Sequence, residues 1–236
     1  MIKTHSKHLW WTVAAACAVL LSAGCASDGG RSATTSAGNS LLLGSQEFPS
    51  GAMHVELPRD KVAAGFGNVN GTANNNGPVT VTPAECAGVQ QDLAAQLQEL
   101  MRNASFTGAQ TADGTVFTEI ISDTAADLGK ISDVTNRCQQ MTLTTSVVGK
   151  RLTNTTVTIE TLPLPGELNG IGAIAYHTSS HSDVVGNPVT TSSYTAYAVI
   201  GGMTIAMHAE NLTEKSDDET FESLFDSAVQ KVRDAT

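Results

Sequence analysis

The chain has 236 residues, of which 13 are basic and 23 are acidic, so its formal net charge is −10. This surplus of acidic groups repels phosphate backbones and anionic headgroups, which argues against a nucleic-acid partner and against a basic membrane-docking surface. Only 15% of the residues are charged, whereas threonine, serine and alanine are abundant. Such a composition favours strands with one solvated face over long surface helices.

Residues 1–24 are typical of an export signal. Lys3 and Lys7 precede an apolar stretch from Leu9 to Leu21, and small residues follow it up to Cys25. This stretch is too short for a membrane-spanning helix, which needs about 20 residues. The segment resembles a lipobox-type signal, which implies that the Cys25 thiol is acylated and becomes the mature N-terminus. The alternatives are an uncleaved membrane anchor and an ordinary secretory signal that releases the protein.

Residues 25–50 are rich in glycine, serine, threonine and alanine, and their main apolar residues are Leu41 to Leu43 and Phe48. That composition predicts a flexible tether, which would hold the following domain about 25 to 30 Å from the lipid surface. The rest of the chain, residues 51–236, is long enough for one domain with its own core.

Four cysteines are present, and Cys17 belongs to the signal while Cys25 is the predicted acylation site. Cys86 and Cys138 remain in an exported domain, where two thiols most simply form a disulfide with each other. The bond would close a loop that the chain-entropy model values at about 4 kcal/mol. The alternative is two unrelated buried thiols. Neither lies in a C-x-x-C pair, so zinc-binding or redox activity has little support.

The first ordered elements are predicted after the tether. Met53 to Leu57 is typical of a short strand or an extended lead, and residues 65–71 predict a polar loop. The G-x-G-x-x-x-G spacing of that loop departs from the dinucleotide pattern, so nucleotide binding has little support. Thr82-Pro83-Ala84-Glu85 then predicts a capped helix start. Its buried face combines apolar residues at helical spacing, namely Cys86, Val89, Leu93, Leu97, Leu100 and Met101.

The second half of the domain is dominated by strands. A β-branched run at 115–121 predicts a strand, and Leu128, Ile131 and Thr135 predict a short helix that ends at Cys138. The apolar period then becomes two, which predicts antiparallel strands at 141–147, 152–162 and 171–176. Gly201-Gly202 predicts a hairpin turn between strands 194–200 and 203–210. A final helix is predicted from Ser216, with a buried stripe of Phe221, Leu224, Phe225, Ala228 and Val232.

Few residues suggest chemistry. His177, His181 and Asp183 are metal-ligand types at short range, but their surroundings are typical of a strand end and a serine-rich loop, which favours solvated histidines without a metal. His208 is expected to share one side of a strand with Glu210, where a structural histidine is favoured over a ligand. Because no nucleophile motif is present, no catalytic residue, metal or cofactor is assigned.

The order of elements resembles a known group of proteins. A helix opening with Pro83-Ala84-Glu85-Cys86-Ala87-Gly88, a matching Cys138, a threonine-rich meander and a final amphipathic helix are similar to mycobacterial and actinobacterial lipoproteins with a PknH-like extracellular sensor-type domain. The resemblance implies an α+β domain with a twisted antiparallel sheet, helices packed on it, and a cleft for an unidentified ligand. The kinase-linked domain of that group has two disulfides, whereas this chain can form one. This chain also lacks a kinase portion, so a signalling role is not carried over from the resemblance.

These features together predict a lipid-anchored, extracytoplasmic lipoprotein whose domain binds a ligand or partner without catalysis. The expected ligand is an envelope lipid, glycan or protein, and the ligand-binding residues are unknown. The alternatives are an envelope hydrolase with a dispersed active site and a structural accessory subunit of an envelope complex. An apolar pocket between sheet and helix would favour binding, and a convergent set of histidine, serine and acidic side chains would favour the hydrolase.

Overall fold

A computed structural model describes residues 38–67, 79–147, 150–168, 170–184, 187–211 and 218–236. The predicted signal peptide, Cys25 and Ser216 lie outside these residues, as does the glycine-rich stretch beyond Gly67. The described residues belong to one compact unit. None of the helices in this part of the chain is both long and apolar enough to cross a membrane.

Nine antiparallel strands form one sheet in the order β1-β3-β4-β9-β8-β7-β6-β5-β2. Neighbouring strands are mostly consecutive in the chain, as expected for a meander built from hairpins. The strands are β1 (Met53–His54), β2 (Val79–Thr82), β3 (Ser105–Gln110), β4 (Val116–Ser122), β5 (Gln140–Val147), β6 (Lys150–Leu162), β7 (Gly172–Val184), β8 (Asn187–Ile200) and β9 (Met203–Asn211).

Residues 38–41 are helical, and four longer α-helices accompany the sheet in the described ranges. They are α1 (Arg59–Gly67), α2 (Glu85–Arg102), α3 (Leu128–Arg137) and α4 (Asp218–Ala235), and a single 3-10 turn covers Gly166–Leu168. The predicted α+β class, with an antiparallel sheet and helices packed on it, is therefore confirmed.

Helices α1, α2 and α3 cover one side of the sheet, called here the three-helix face. Their buried side chains, including Phe66, Leu97 and Ile131, form one cluster with sheet residues such as Val157 and Tyr197. The predicted disulfide is confirmed on this side: Cys86 in the first turn of α2 is bonded to Cys138 directly after α3, with 5.8 Å between their Cα atoms. The bond ties together two helices that are separated in sequence by β3 and β4.

Helix α4 covers the opposite side, called here the α4 face. The apolar stripe predicted for this helix is buried as expected, from Phe221 to Val232. It packs against small and branched residues of the central strands, among them Ala196, Ala198 and Ile205. Since side chains alternate along a strand, β8 and β9 contribute to both faces.

The end of the predicted tether differs from the structure. Residues 42–49, called here the strap, lie on the α4 face, where Leu43 is 3% exposed and Phe48 is 5% exposed. The Leu43 amide donates a 2.7 Å hydrogen bond to Oε2 of buried Glu119 in β4, and Lys231 of α4 donates to the Leu42 carbonyl. Burying two large apolar side chains contributes several kcal/mol, which outweighs the polar composition of their neighbours. Residues that the composition assigned to the tether thus pack against the domain, and Leu41 and Leu42 also contact the core of the α4 face.

The start of α2 and the presence of α1 also differ from the sequence prediction. Thr82 is the last residue of β2, paired with Thr142, and α2 begins only at Glu85 without a side-chain cap. Sheet pairing thus takes the threonine that the capping pattern placed at the helix start. Helix α1 was not predicted, because Arg59–Gly67 carries few apolar residues at helical spacing.

The predicted glycine hairpin is confirmed. Gly201 and Gly202 join β8 to β9 with φ angles of 57° and 85°. Both values lie in the left-handed region, where a side chain is disfavoured, so this two-residue turn requires glycine.

Candidate ligand-binding site

A cavity of about 160 Å³ lies on the three-helix face, where the apolar core gives way to hydroxyl side chains. Its lining comes from five neighbouring strands, β5 to β9. Eight of the ten lining residues carry a polar group, and these groups are interspersed with apolar side-chain surface. The lining residues are Leu143, Thr155, Val157, Thr178, Ser180, Ser182, Thr191, Ser193, His208 and Glu210.

The alternation of strand residues explains this lining. On β7, Tyr176 points into the core of the three-helix face and is 3% exposed. The next residues on the same side, Thr178, Ser180 and Ser182, line the cavity. Because every second residue of a strand shares a face, the change from tyrosine to hydroxyl side chains marks where the core ends and the cavity begins.

Cross-strand pairs arrange the hydroxyl groups in rows. Ser180 is paired with Thr191, and their hydroxyl oxygens lie 2.5 Å apart. Thr155 of β6 and Ser182 of β7 form a second hydroxyl pair at 2.7 Å. Four of the six hydroxyl groups therefore already hold a partner across the strands.

The remaining two hydroxyl groups belong to the row that contains the acid. Thr178 is paired with Ser193, and Ser193 is paired with Glu210. Within the described residues, the hydroxyl groups of Thr178 and Ser193 form no hydrogen bond with another side chain. This row presents two hydroxyl groups and one carboxyl group to the cavity.

Burial controls the charge state of the two titratable groups. His208 lies on β9, its Nδ1 is 2.9 Å from the Thr195 hydroxyl, and its ring contacts Phe66 at 5.2 Å between centroids. Desolvation lowers the pKa of His208 from 6.5 to about 4, so the imidazole is neutral at physiological pH. Desolvation raises the pKa of Glu210 above its usual value.

The sequence prediction for His208 and Glu210 is confirmed in part. The two side chains share one side of β9 as expected, and His208 has a structural partner in Thr195. Both residues also line the cavity, a placement that the sequence prediction did not favour.

The structure places His177, His181 and Asp183 in a strand, and the predicted serine-rich loop is wrong. Strand β7 continues to Val184, fully paired with β8. The His177 Nε2 is 2.8 Å from the Ser192 hydroxyl and the His181 Nδ1 is 3.1 Å from the Thr190 hydroxyl, both on the α4 face. Four residues along a strand span about 13 Å, too far for the two imidazoles to share one ion.

The described residues contain no group of three or more histidine, cysteine or acidic side chains placed to hold a metal. The cavity itself offers one carboxyl group, one neutral imidazole and several hydroxyl groups. Such a set can donate and accept many hydrogen bonds around a small polar molecule.

Sequence reasoning missed the six hydroxyl residues of the cavity. The signal was present in β7, where hydroxyl residues continue the period of two set by Ile174 and Tyr176. Because residues 177–183 were predicted to form a loop, the period of two was not extended beyond Tyr176. Ser180 and Ser182 were therefore not expected to share a face with the core.

No protein-family model and no curated protein matches the chain. Among solved structures, the chain is similar to an uncharacterized protein from Mycobacterium smegmatis (Rv0999 ortholog), with 15% identity and a TM-score of 0.46 over 85% of this chain and 96% of that chain. It is also similar to the extracellular domain of PknH from Mycobacterium tuberculosis, with 13% identity and a TM-score of 0.45 over 83% of this chain and 94% of that one. The second structure is the extracellular domain that was named in the resemblance drawn from the sequence.

Proposed function

We propose that this protein is a lipid-anchored, extracytoplasmic binding protein that holds a small ligand in the cavity on its three-helix face. The observation that carries the proposal is the convergence of polar side chains from four strands, β6 to β9, on one cavity of about 160 Å³. A concave site with a few convergent polar groups is the usual form of a ligand site.

The extracytoplasmic location is supported by two independent features. The export signal resembles a lipobox that ends at Cys25. The Cys86–Cys138 disulfide is of the kind that persists in oxidising compartments. Two acyl chains on Cys25 would anchor the domain firmly, since one chain alone binds a membrane only marginally.

Binding is favoured over hydrolysis by the hydrogen bonds in the cavity. An activated serine needs a base within hydrogen-bond reach. Here Ser180 and Ser182 are bonded to threonines, and the described partner of His208 is Thr195. The side-chain types of a hydrolase converge in the cavity, but they are not connected as a nucleophile and its base.

Native mass spectrometry of the protein purified from a bacterial envelope tests the binding proposal. A co-purified small molecule is expected on the wild type and on Ser179→Leu, a control on the α4 face of β7. It is expected to be absent from Ser193→Leu, because the added side chain fills the cavity. An unliganded wild type, or an adduct retained by Ser193→Leu, would contradict the proposal.

The anchor has its own test. Cys25→Ala is expected to abolish labelling by a radioactive fatty acid and to release the protein from membranes. Fatty-acid labelling that persists in this variant would refute the lipid assignment.

A further inference from the structure

The charge of the cavity limits what it can bind. None of the described residues that line the cavity is a lysine or an arginine, and the acidic side chain among them is Glu210. His208 supplies no positive charge either, because burial keeps its imidazole neutral. Among the described lining residues a phosphate or carboxylate group would meet a carboxyl group and no cation, so anionic ligands are disfavoured.

The hydroxyl groups limit the ligand further. Thr178 and Ser193 lack a side-chain partner among the described residues, and an apolar ligand would bury both without one. Each unsatisfied polar group costs about 1 to 3 kcal/mol. A hydroxyl group both donates and accepts, so the matching ligand group is another hydroxyl. Glu210, in the same row, adds a carboxyl group whose oxygens can accept hydrogen bonds from a ligand.

The volume of the cavity and its apolar lining residues limit the size and shape of the ligand. A cavity of about 150 Å³ accommodates one benzene ring, and the volume here is about 160 Å³. Leu143 and Val157 provide apolar contact at one side of the lining, opposite the acid-bearing strand in the sheet order. A single saturated ring with C–H groups on its faces and hydroxyl groups at its edge fits both the volume and the division of the lining.

We infer that the cavity binds an uncharged, polyhydroxylated six-membered ring, a monosaccharide unit or a cyclitol, whose hydroxyl groups bond to Thr178, Ser193 and Glu210. This inference rests on the proposed binding function and specifies the chemical class of its ligand. The Glu210 carboxyl group offers two oxygen atoms to the ring, more than any hydroxyl group of the lining.

Saturation-transfer NMR on the full chain in detergent micelles tests the ligand class. The neutral probes are D-glucose, D-mannose, D-galactose, their methyl glycosides and myo-inositol. The contrasting probes are inositol monophosphate, choline and cyclohexanol. At least one neutral ring is expected to bind, and the three contrasting probes are not. Preference for a methyl glycoside indicates a sugar at the end of a larger glycan, and preference for a free sugar or myo-inositol indicates a soluble ligand.

Substitutions of glutamate residues inside and outside the cavity test whether the neutral ring binds there. Glu210→Ala is expected to weaken binding of the neutral ring by about 10- to 100-fold, because the hydrogen bonds to the carboxyl group are lost and the ligand hydroxyl groups that made them stay buried. Glu210→Gln keeps an oxygen acceptor and is expected to weaken binding less. Glu160→Ala, an exposed acid of β6 on the other face, is expected to leave affinity unchanged. Circular dichroism of each variant establishes that it is folded.

Two outcomes separate this inference from the proposed function. If no neutral ring binds while a purified adduct of another chemistry is lost in Ser193→Leu, the ligand class is wrong and the binding function stands. If no probe binds and no adduct is found on the wild type, both are refuted.

Discussion

Replacing Glu119 with glutamine is expected to change how the stability of the domain depends on pH. The Glu119 side chain is fully buried in β4 beneath the strap. Its Oε2 accepts the Leu43 amide, while Oε1 has no hydrogen-bond partner among the described residues. Desolvation raises the pKa of this carboxyl group from 4.5 to about 7.

The size of the effect follows from that difference in pKa. Each pKa unit corresponds to about 1.36 kcal/mol, so a rise from 4.5 to about 7 amounts to about 3 kcal/mol. Between these pH values the folded state keeps a proton that the unfolded state has released. The contribution of Glu119 is therefore fully present below pH 4.5 and is lost as the pH rises through 7.

His208 acts in the opposite direction and masks this effect in the wild type. Its pKa is lowered from 6.5 to about 4, so its contribution is present above pH 6.5 and is lost as the pH falls through 4. Between pH 4.5 and 6.5 the unfolding free energy therefore falls with pH because of Glu119 and rises with pH because of His208, and the two effects nearly cancel. The quantity to measure is therefore the difference in unfolding free energy between wild type and Glu119→Gln. The contribution of His208 is the same in both proteins and cancels in this difference.

Urea unfolding followed by far-ultraviolet circular dichroism measures this difference. Circular dichroism suits this chain because its two tryptophans, Trp10 and Trp11, lie in the predicted signal and not in the domain. Relative to wild type, Glu119→Gln should gain about 3 kcal/mol of unfolding free energy between pH 4.5 and 7.5. Glu160→Gln, at an exposed position, serves as the matched control. A difference that stays constant over this range would mean that Glu119 is ionised in the fold, and the reasoning would be refuted.

Three further predictions concern the disulfide, the strap and the hairpin. Replacing Cys86 and Cys138 by alanine should lower the unfolding free energy by about 4 kcal/mol in the chain-entropy model; an unchanged urea midpoint would contradict it. Lys231→Met removes the bonds to the Leu42 carbonyl and the Glu47 carboxylate, so limited proteolysis should cut within the strap faster than in Arg233→Met; equal rates would show that the strap does not depend on Lys231. Gly202→Ala should cost about 1 to 2 kcal/mol, because φ is 85° there, and an unchanged melting temperature would argue against a strained turn.

An element could be predicted from the sequence where its local pattern is explained by one kind of structure only. The stripe of α4 and the Gly201-Gly202 hairpin were identified because helical spacing and positive-φ glycines have few alternative explanations. Thr82 was misassigned because a capping pattern and a strand end use the same residue, and only pairing with Thr142 distinguishes them. Such long-range pairing is not visible in a local pattern.

The cavity was harder to predict because its residues are individually unremarkable. Thr155 and Ser193 are far apart in the chain, and each is a common residue of a solvated strand. Only the register of β6 through β9 brings them to one cavity. Glu210 and His208 could be placed on one side of a strand from the sequence, but which face of the sheet that side belongs to could not.

The strap also determines where mechanical load enters the domain. Strand β1 is a two-residue edge strand, paired with β3 alone, and a pull applied directly to it would peel it from the sheet. A pull from the N-terminal side reaches the strap first, and through it the interior strand β4 at Glu119 and the last turns of α4 at Lys231. If Cys25 is the membrane attachment point, tension on the anchor would be borne by these buried contacts, and the weakest edge of the sheet would be shielded.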